Sequence, residues 1–179
     1  MIKRMAVAAL LAVVGVARAE KIDNPEYKNW SQFKVGSSVT MKMVTEASGM
    51  KTEMEQTTTL VELTGDKAVL ETKGKMVVSG NTMDMPASKR DVPAKVDNQP
   101  AGEGKKPEMK ESEEEISVGG GKVKCKKIET TTESNGMKTA SKVWTCNDVP
   151  GGTVKMEADT TGAATSKTMM EAIKWEAKK

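Results

Sequence analysis

The chain has 179 residues, no histidine, two cysteines, and 28 Lys and Arg against 25 Asp and Glu. The absence of histidine excludes a Ser-His-Asp triad and removes both the usual general base near neutral pH and the commonest metal ligand. Lys3, Arg4 and Arg18 carry the whole excess of +3, so the chain beyond them is neutral and lacks the basic footprint of a nucleic-acid binder.

Residues 1–19 read as a secretory signal peptide. Lys3 and Arg4 start it, Met5 to Val16 form its apolar stretch, and Ala17-Arg18-Ala19 supplies a small-x-small cleavage site. The apolar run is too short to span a bilayer, and no transmembrane segment is expected once it is removed. The mature chain then begins at Glu20, in a periplasmic or extracellular setting. Residues 20–179 suit one domain. Leu, Ile, Val and Phe are scarce there, and twelve of the fourteen methionines lie in it, so methionine must supply apolar volume.

Asn24-Pro25-Glu26 predicts a capped short helix with Pro in its first turn. Tyr27, Trp30 and Phe33 recur every three residues, and Gly36 ends the segment. From Ser37 the period becomes two. Ser48-Gly49 predicts a hairpin in which Glu46 opposes Lys51, Met43 opposes Met54 and Lys42 opposes Glu55. Val39, Met41, Met43, Ala47, Met50 and Met54 then share one face, and charged residues take the other. Strands are expected at Leu60 to Leu63, Ala68 to Thr72 and Lys75 to Ser79. Pro86 to Ser112, with four of the six prolines and many charges, reads as a long exposed loop.

Further strands are expected at Glu114 to Val118, Thr153 to Ala158 and Lys167 to Trp175. Asn135-Gly136 predicts a second hairpin whose opposed residues include Glu133 with Lys138, Ile128 with Val143, and Cys125 with Cys146. That register places the two cysteines on one rung and predicts a disulfide in an oxidising compartment. Thr45 to Thr52 resembles Thr132 to Thr139 at an offset of 87 residues, which raises an internal duplication.

No phosphate-cradling loop, nucleophile elbow or dinucleotide fingerprint is present. Paired cysteines leave no thiolate nucleophile, and the scattered carboxylates read as a solvated face rather than a glycosidase pair. The sequence points away from an enzyme, and no cofactor is implied. Met41-x-Met43, Met83-x-Met85 and Met169-Met170 have the look of thioether sets for Cu(I), but alternate strand positions also share one face. Core filling is therefore the reading adopted, with no metal site.

Asn24 to Tyr27 with Trp30, Val92 to Val96, Glu113 to Lys127, and Val143-Trp144 through Gly152 to Lys155 resemble uncharacterised secreted bacterial proteins of planctomycete type. Such chains are similar, at fold level, to the half-barrel envelope proteins typified by the lipoprotein carriers LolA and LolB. The resemblance implies an antiparallel sheet wrapped around an apolar cavity that takes lipid acyl groups.

The expectation is an all-β domain: an antiparallel meander forming a curved half-barrel or open barrel, with a short N-terminal helix. Its function is expected to be non-catalytic, with an apolar ligand held by Met41, Met43, Met50 and Met54 together with Trp30 and Phe33. The alternative is a structural or protein-interaction module with a filled core, serving an envelope partner.

Overall fold

In the computed structural model, residues 21–78, 80–98, 108–134, 136–162 and 165–179 are described. The expected signal peptide, Asn135 of the second turn and the middle of the expected loop lie outside them. Two strands of three residues, β1 (Lys21–Asp23) and β6 (Lys95–Asp97), pair with each other. Between β1 and the main sheet comes α1 (Pro25–Trp30). The Asn24 side chain accepts the Glu26 N–H at 3.0 Å, and Pro25 occupies the first turn, where its missing donor costs nothing.

The other nine strands form one antiparallel sheet that does not close into a barrel. In chain order they are β2 (Ser38–Ala47), β3 (Met50–Leu63), β4 (Lys67–Val78), β5 (Asn81–Pro93), β7 (Glu108–Val118), β8 (Gly121–Ser134), β9 (Met137–Thr145), β10 (Thr153–Thr161) and β11 (Ser166–Glu176). Their order across the sheet is β5-β4-β3-β2-β11-β10-β9-β8-β7. Two meanders therefore lie side by side, joined where β2 pairs with β11. β2 to β5 and β8 to β11 occupy equivalent places within them. β3 and β9 begin at Met50 and Met137, 87 residues apart, matching the offset of the sequence similarity.

Both hairpin registers are as the turns predict. Glu46 opposes Lys51 and Met43 opposes Met54; Glu133 opposes Lys138 and Ile128 opposes Val143. Ser48 and Gly49 have φ of 51° and 79°, the left-handed pair that lets a two-residue turn follow the strand twist.

The stretch expected to be a long loop is different. Pro86 to Pro93 belongs to β5 and Glu108 to Ser112 to β7, the two edge strands of the sheet. Pro86 lies where the β4–β5 register slips, between the Thr72–Ser88 and Gly74–Met85 rungs. An edge bulge is where a strand accepts a residue without an N–H. Likewise β4 runs unbroken through Lys73-Gly74, and Leu60 to Leu63 is the end of β3 rather than a separate strand.

The apolar core occupies one end of the sheet. Val39, Leu60, Leu70, Ala68, Val92 and Ala172 meet Trp30, Trp144, Val149 and Val154 there, all nearly inaccessible to solvent. Tyr27 Oη donates to the Thr64 carbonyl at 2.6 Å, and Arg90 grips Glu26 in a two-pronged ion pair. The C-terminus closes this end. Lys34 N–H donates to the Lys178 carbonyl at 2.7 Å, and Lys178 N–H donates to the Ser37 hydroxyl at 2.9 Å.

Large side chains at this end carry the stability. Truncating Trp30, which is 1% exposed, leaves a cavity among well-packed neighbours. Trp30→Ala is expected to cost about 3–5 kcal/mol in urea unfolding. Met54→Leu, on a half-buried strand away from that core, should cost less than about 1.5 kcal/mol.

Candidate functional site

Directly opposed residues of an antiparallel pair point to the same face, so the registers can be followed across the whole sheet. From β5, Met83 opposes Met76, which opposes Met54, which opposes Met43. Across the seam Met43 opposes Met170, and Met170 opposes Met156. The row continues through Val143 and Ile128 to Glu111. Six neighbouring strands thus contribute one methionine each to a single row.

The next row on this face is hydroxyl-rich: Thr52, Thr45, Thr168, Ala158, Ser141 and Thr130. Thr130 and Ser141 share a hydrogen bond of 2.6 Å, and Thr45 and Thr168 one of 3.4 Å. No charged side chain occurs in either row from β5 to β8. None of the six methionines belongs to the core cluster or packs against it. Besides its sheet neighbours, a strand of this region meets only β7 (from β11) and α1 (from β4 and β5) to any extent among the described residues, and Met43, Met54, Met76, Met156 and Met170 are half-buried while Met83 is exposed.

The opposite face is charged in an ordered way. One position along each strand from the methionines lie Asp84, Lys75, Glu55, Lys42, Glu171 and Lys155, opposed in that order. Signs alternate at every step. Opposite charges facing each other across strands favour this pairing and penalise slipped ones. The row then meets Trp144, whose ring lies 4.9 Å from Lys155 Nζ and 5.4 Å from Lys127 Nζ. Trp144 Nε1–H donates to Glu114 Oε1 at 2.5 Å. Trp144 is 4% exposed, and with its polar tip satisfied it is a structural anchor.

Of the residues expected to hold a ligand, Met41, Met43, Met50 and Met54 do share a face. Met41 packs on the core, Met43 and Met54 are half-buried in the row, and Met50 is 66% exposed beside the turn. Trp30 and Phe33 lie away from the methionine row, at the core end of the sheet. They are 1% and 3% exposed, because the α1 segment plugs the core end of the sheet. The residues missed by the sequence reading are Met76, Met83, Met156 and Met170 as members of one row. Their signal is the repeated pairing of Met with a charge, as in Lys75-Met76, Met83-Asp84, Lys155-Met156 and Met170-Glu171.

The expected disulfide is not formed: Cys125 and Cys146 are buried free thiols. The β8–β9 ladder ends at the Lys126–Thr145 rung. Beyond it Cys146 N–H turns to the Gly152 carbonyl at 2.7 Å, so the chain leaves the strand just before the cysteine rung. Burial pushes the Cys125 thiol up to about 11, and the adjacent Cys146 thiol and the Glu114 carboxylate add to the shift. A cleft of about 720 Å³ passes these thiols, lined by Glu113, Glu115, Lys124, Lys126, Asn147 and Asp148 among others. Its mixed charges give it no chemistry of one sign. Among the described residues no three His, Cys, Asp or Glu side chains cluster for a metal ion, and no helix is long and apolar enough to cross a membrane.

No protein-family model matches the chain, and no curated protein matches it.

The thiol shift has a pH consequence. A folded-state pKa raised above the ordinary value of 9.0 to about 11 stabilises the fold fully below pH 9, and this contribution is lost as pH rises towards 11. Reduced protein should therefore lose on the order of 2–3 kcal/mol between those limits through this group. Urea unfolding against a Cys125→Ala variant isolates the effect, since the variant should show the shallower decline.

Proposed function

We propose that this chain is a non-catalytic exported protein of the cell envelope that binds an apolar ligand, such as a lipid, on its Met and Thr face. The observation that carries this reading is the uncharged face set back-to-back with a charged one. A solvated antiparallel sheet would ordinarily be polar on any face without a partner. Here the uncovered side has thioethers and hydroxyls, and an exposed surface with so little charge marks a binding site. Methionine side chains are flexible and polarizable, so one surface can repack around ligands of different shape.

In this reading the open sheet curves into a half-barrel with the methionine row inside. Register slips near Val61, Pro86, Val154 and Ile173 support curvature, because bulges bend strands and increase local twist. Nine strands are also enough for an open sheet to curl. Export rests on the leader-like first nineteen residues. A protein-interaction module is the second reading, favoured by the unpaired edges of β5 and β7, which leave backbone groups free for another strand.

Native mass spectrometry of protein purified from its own host should show a co-purifying lipid-sized adduct. Met54→Lys places a charge in the middle of the row and should remove the adduct while leaving the circular dichroism spectrum intact. Bare protein mass under every gentle condition contradicts ligand binding and favours the interaction module.

A further inference from the structure

We propose that the methionine row is also a binding site for a soft monovalent cation, Cu(I), centred on Met43 and completed by Met54 and Met170. This goes beyond the apolar-ligand reading and does not depend on it.

The geometry starts from the register. Met43 has a methionine directly opposed on both sides, Met54 on β3 and Met170 on β11. Opposed side chains start from Cβ atoms about 4.5–5.5 Å apart. Each methionine then has three rotatable bonds with which to bring its sulfur towards a common centre, with no backbone movement. Met41, two residues along the same strand, stands on the same face as a fourth thioether. Thioethers are neutral, soft donors, and a Cu(I) ion prefers them to the oxygen ligands that dominate the opposite face.

Packing alone does not account for these residues. The three methionines lie outside the core cluster. Val143 and Ile128 fill the same row on β9 and β8, so branched aliphatics suit this position and have the better strand propensity. Six consecutive strands nevertheless carry sulfur. The charge pattern also fits. The lysines beside the row, Lys42, Lys75 and Lys155, project from the other face of the sheet, where they oppose Glu55 and Glu171. No ammonium group therefore occupies the row to repel a cation. The competing soft site is the buried thiol pair, Cys125 and Cys146, and the test must separate the two.

The test is anaerobic competition for Cu(I) delivered as its bicinchoninate complex. It compares the wild-type protein, a Met43→Leu/Met54→Leu/Met170→Leu variant and a Cys125→Ala/Cys146→Ala variant. Leucine preserves apolar volume, so the triple variant should keep its fold, which its circular dichroism spectrum checks. It should bind Cu(I) roughly a hundredfold more weakly than wild type, whereas the cysteine variant should keep the wild-type affinity. Equal affinity in the triple variant, loss of binding in the cysteine variant, or no competition by wild type would each overturn the proposal. A second measurement needs no substitution. In wild-type protein labelled at the methionine methyl carbons, Ag(I), a redox-inert soft cation, should shift the Met43, Met54 and Met170 signals first. Uniform or absent shifts would overturn it equally.

Discussion

Cross-strand pairing of a charged row organises this structure. Asp84, Lys75, Glu55, Lys42, Glu171 and Lys155 face their neighbours with alternating sign across six strands. Among these opposed pairs Lys75 and Glu55 are in ion-pair contact at 3.6 Å, whereas Lys42 reaches Glu53 and Lys155 reaches Glu157, and such exposed contacts contribute little stability in water, about 0.2–1 kcal/mol each. The weight of the row lies in specificity. A slip of one residue would move every methionine to the charged face and every charge to the methionine face. Shifting by two would bring different residues opposite these charges. The row favours the register that the turns and the apolar core end also set, and that register puts the thioethers together on the other face.

The seam between β2 and β11 gives the sheet its breadth. All the other neighbours are joined by consecutive chain segments, whereas this ladder joins the first and last long strands. It runs from Ser166–Ala47 to Glu176–Ser38, with one slip at Ile173. Two four-stranded meanders then repeat in the same order, which gives the similarity between Thr45–Thr52 and Thr132–Thr139 a structural counterpart. β7 pairs along the free side of β8, so a further meander cannot add there. Its sequence, Glu108-Met109-Lys110-Glu111-Ser112-Glu113-Glu114-Glu115, is dense in charge, a common protection for an exposed edge.

Local features of the fold were legible in the sequence. Ser48-Gly49 and Gly136 announce turns, and the opposed charges at Glu46–Lys51 and Glu133–Lys138 confirm their registers. Asn24-Pro25 marks α1 for the same local reasons. Features that depend on distant strands were not. Pro86 and the charges around it look like a loop until β5 and β7 are known to be edges, where such residues are tolerated. The burial of Trp30 and Phe33 depends on the sheet end that they plug, which no local pattern announces. The cysteine rung follows from hairpin arithmetic, but the departure of Cys146 from the ladder is set by the Gly152 carbonyl beyond it. Most of the methionine row was hidden because its members come from three separate hairpins, two of the six methionines lying across the seam. Met43 and Met54 are joined by the Ser48-Gly49 turn, and Met76 and Met83 by an equally short connection between Val78 and Asn81 whose register the same arithmetic gives, but no local signal joins these hairpins to each other or to β11.

A neutral, sulfur-rich face lies back-to-back with a charged one, and it is the surface on which the proposed ligand would sit. Its core end is sealed by α1 and the C-terminus, which separates the part that holds the fold from the part that is free to bind. Nuclear Overhauser spectroscopy between methionine methyl groups tests this arrangement most directly. Contacts should run from Met83 through Met76, Met54, Met43 and Met170 to Met156. Absence of the Met43–Met170 contact, with the local contacts present, would contradict the seam and with it the continuous face.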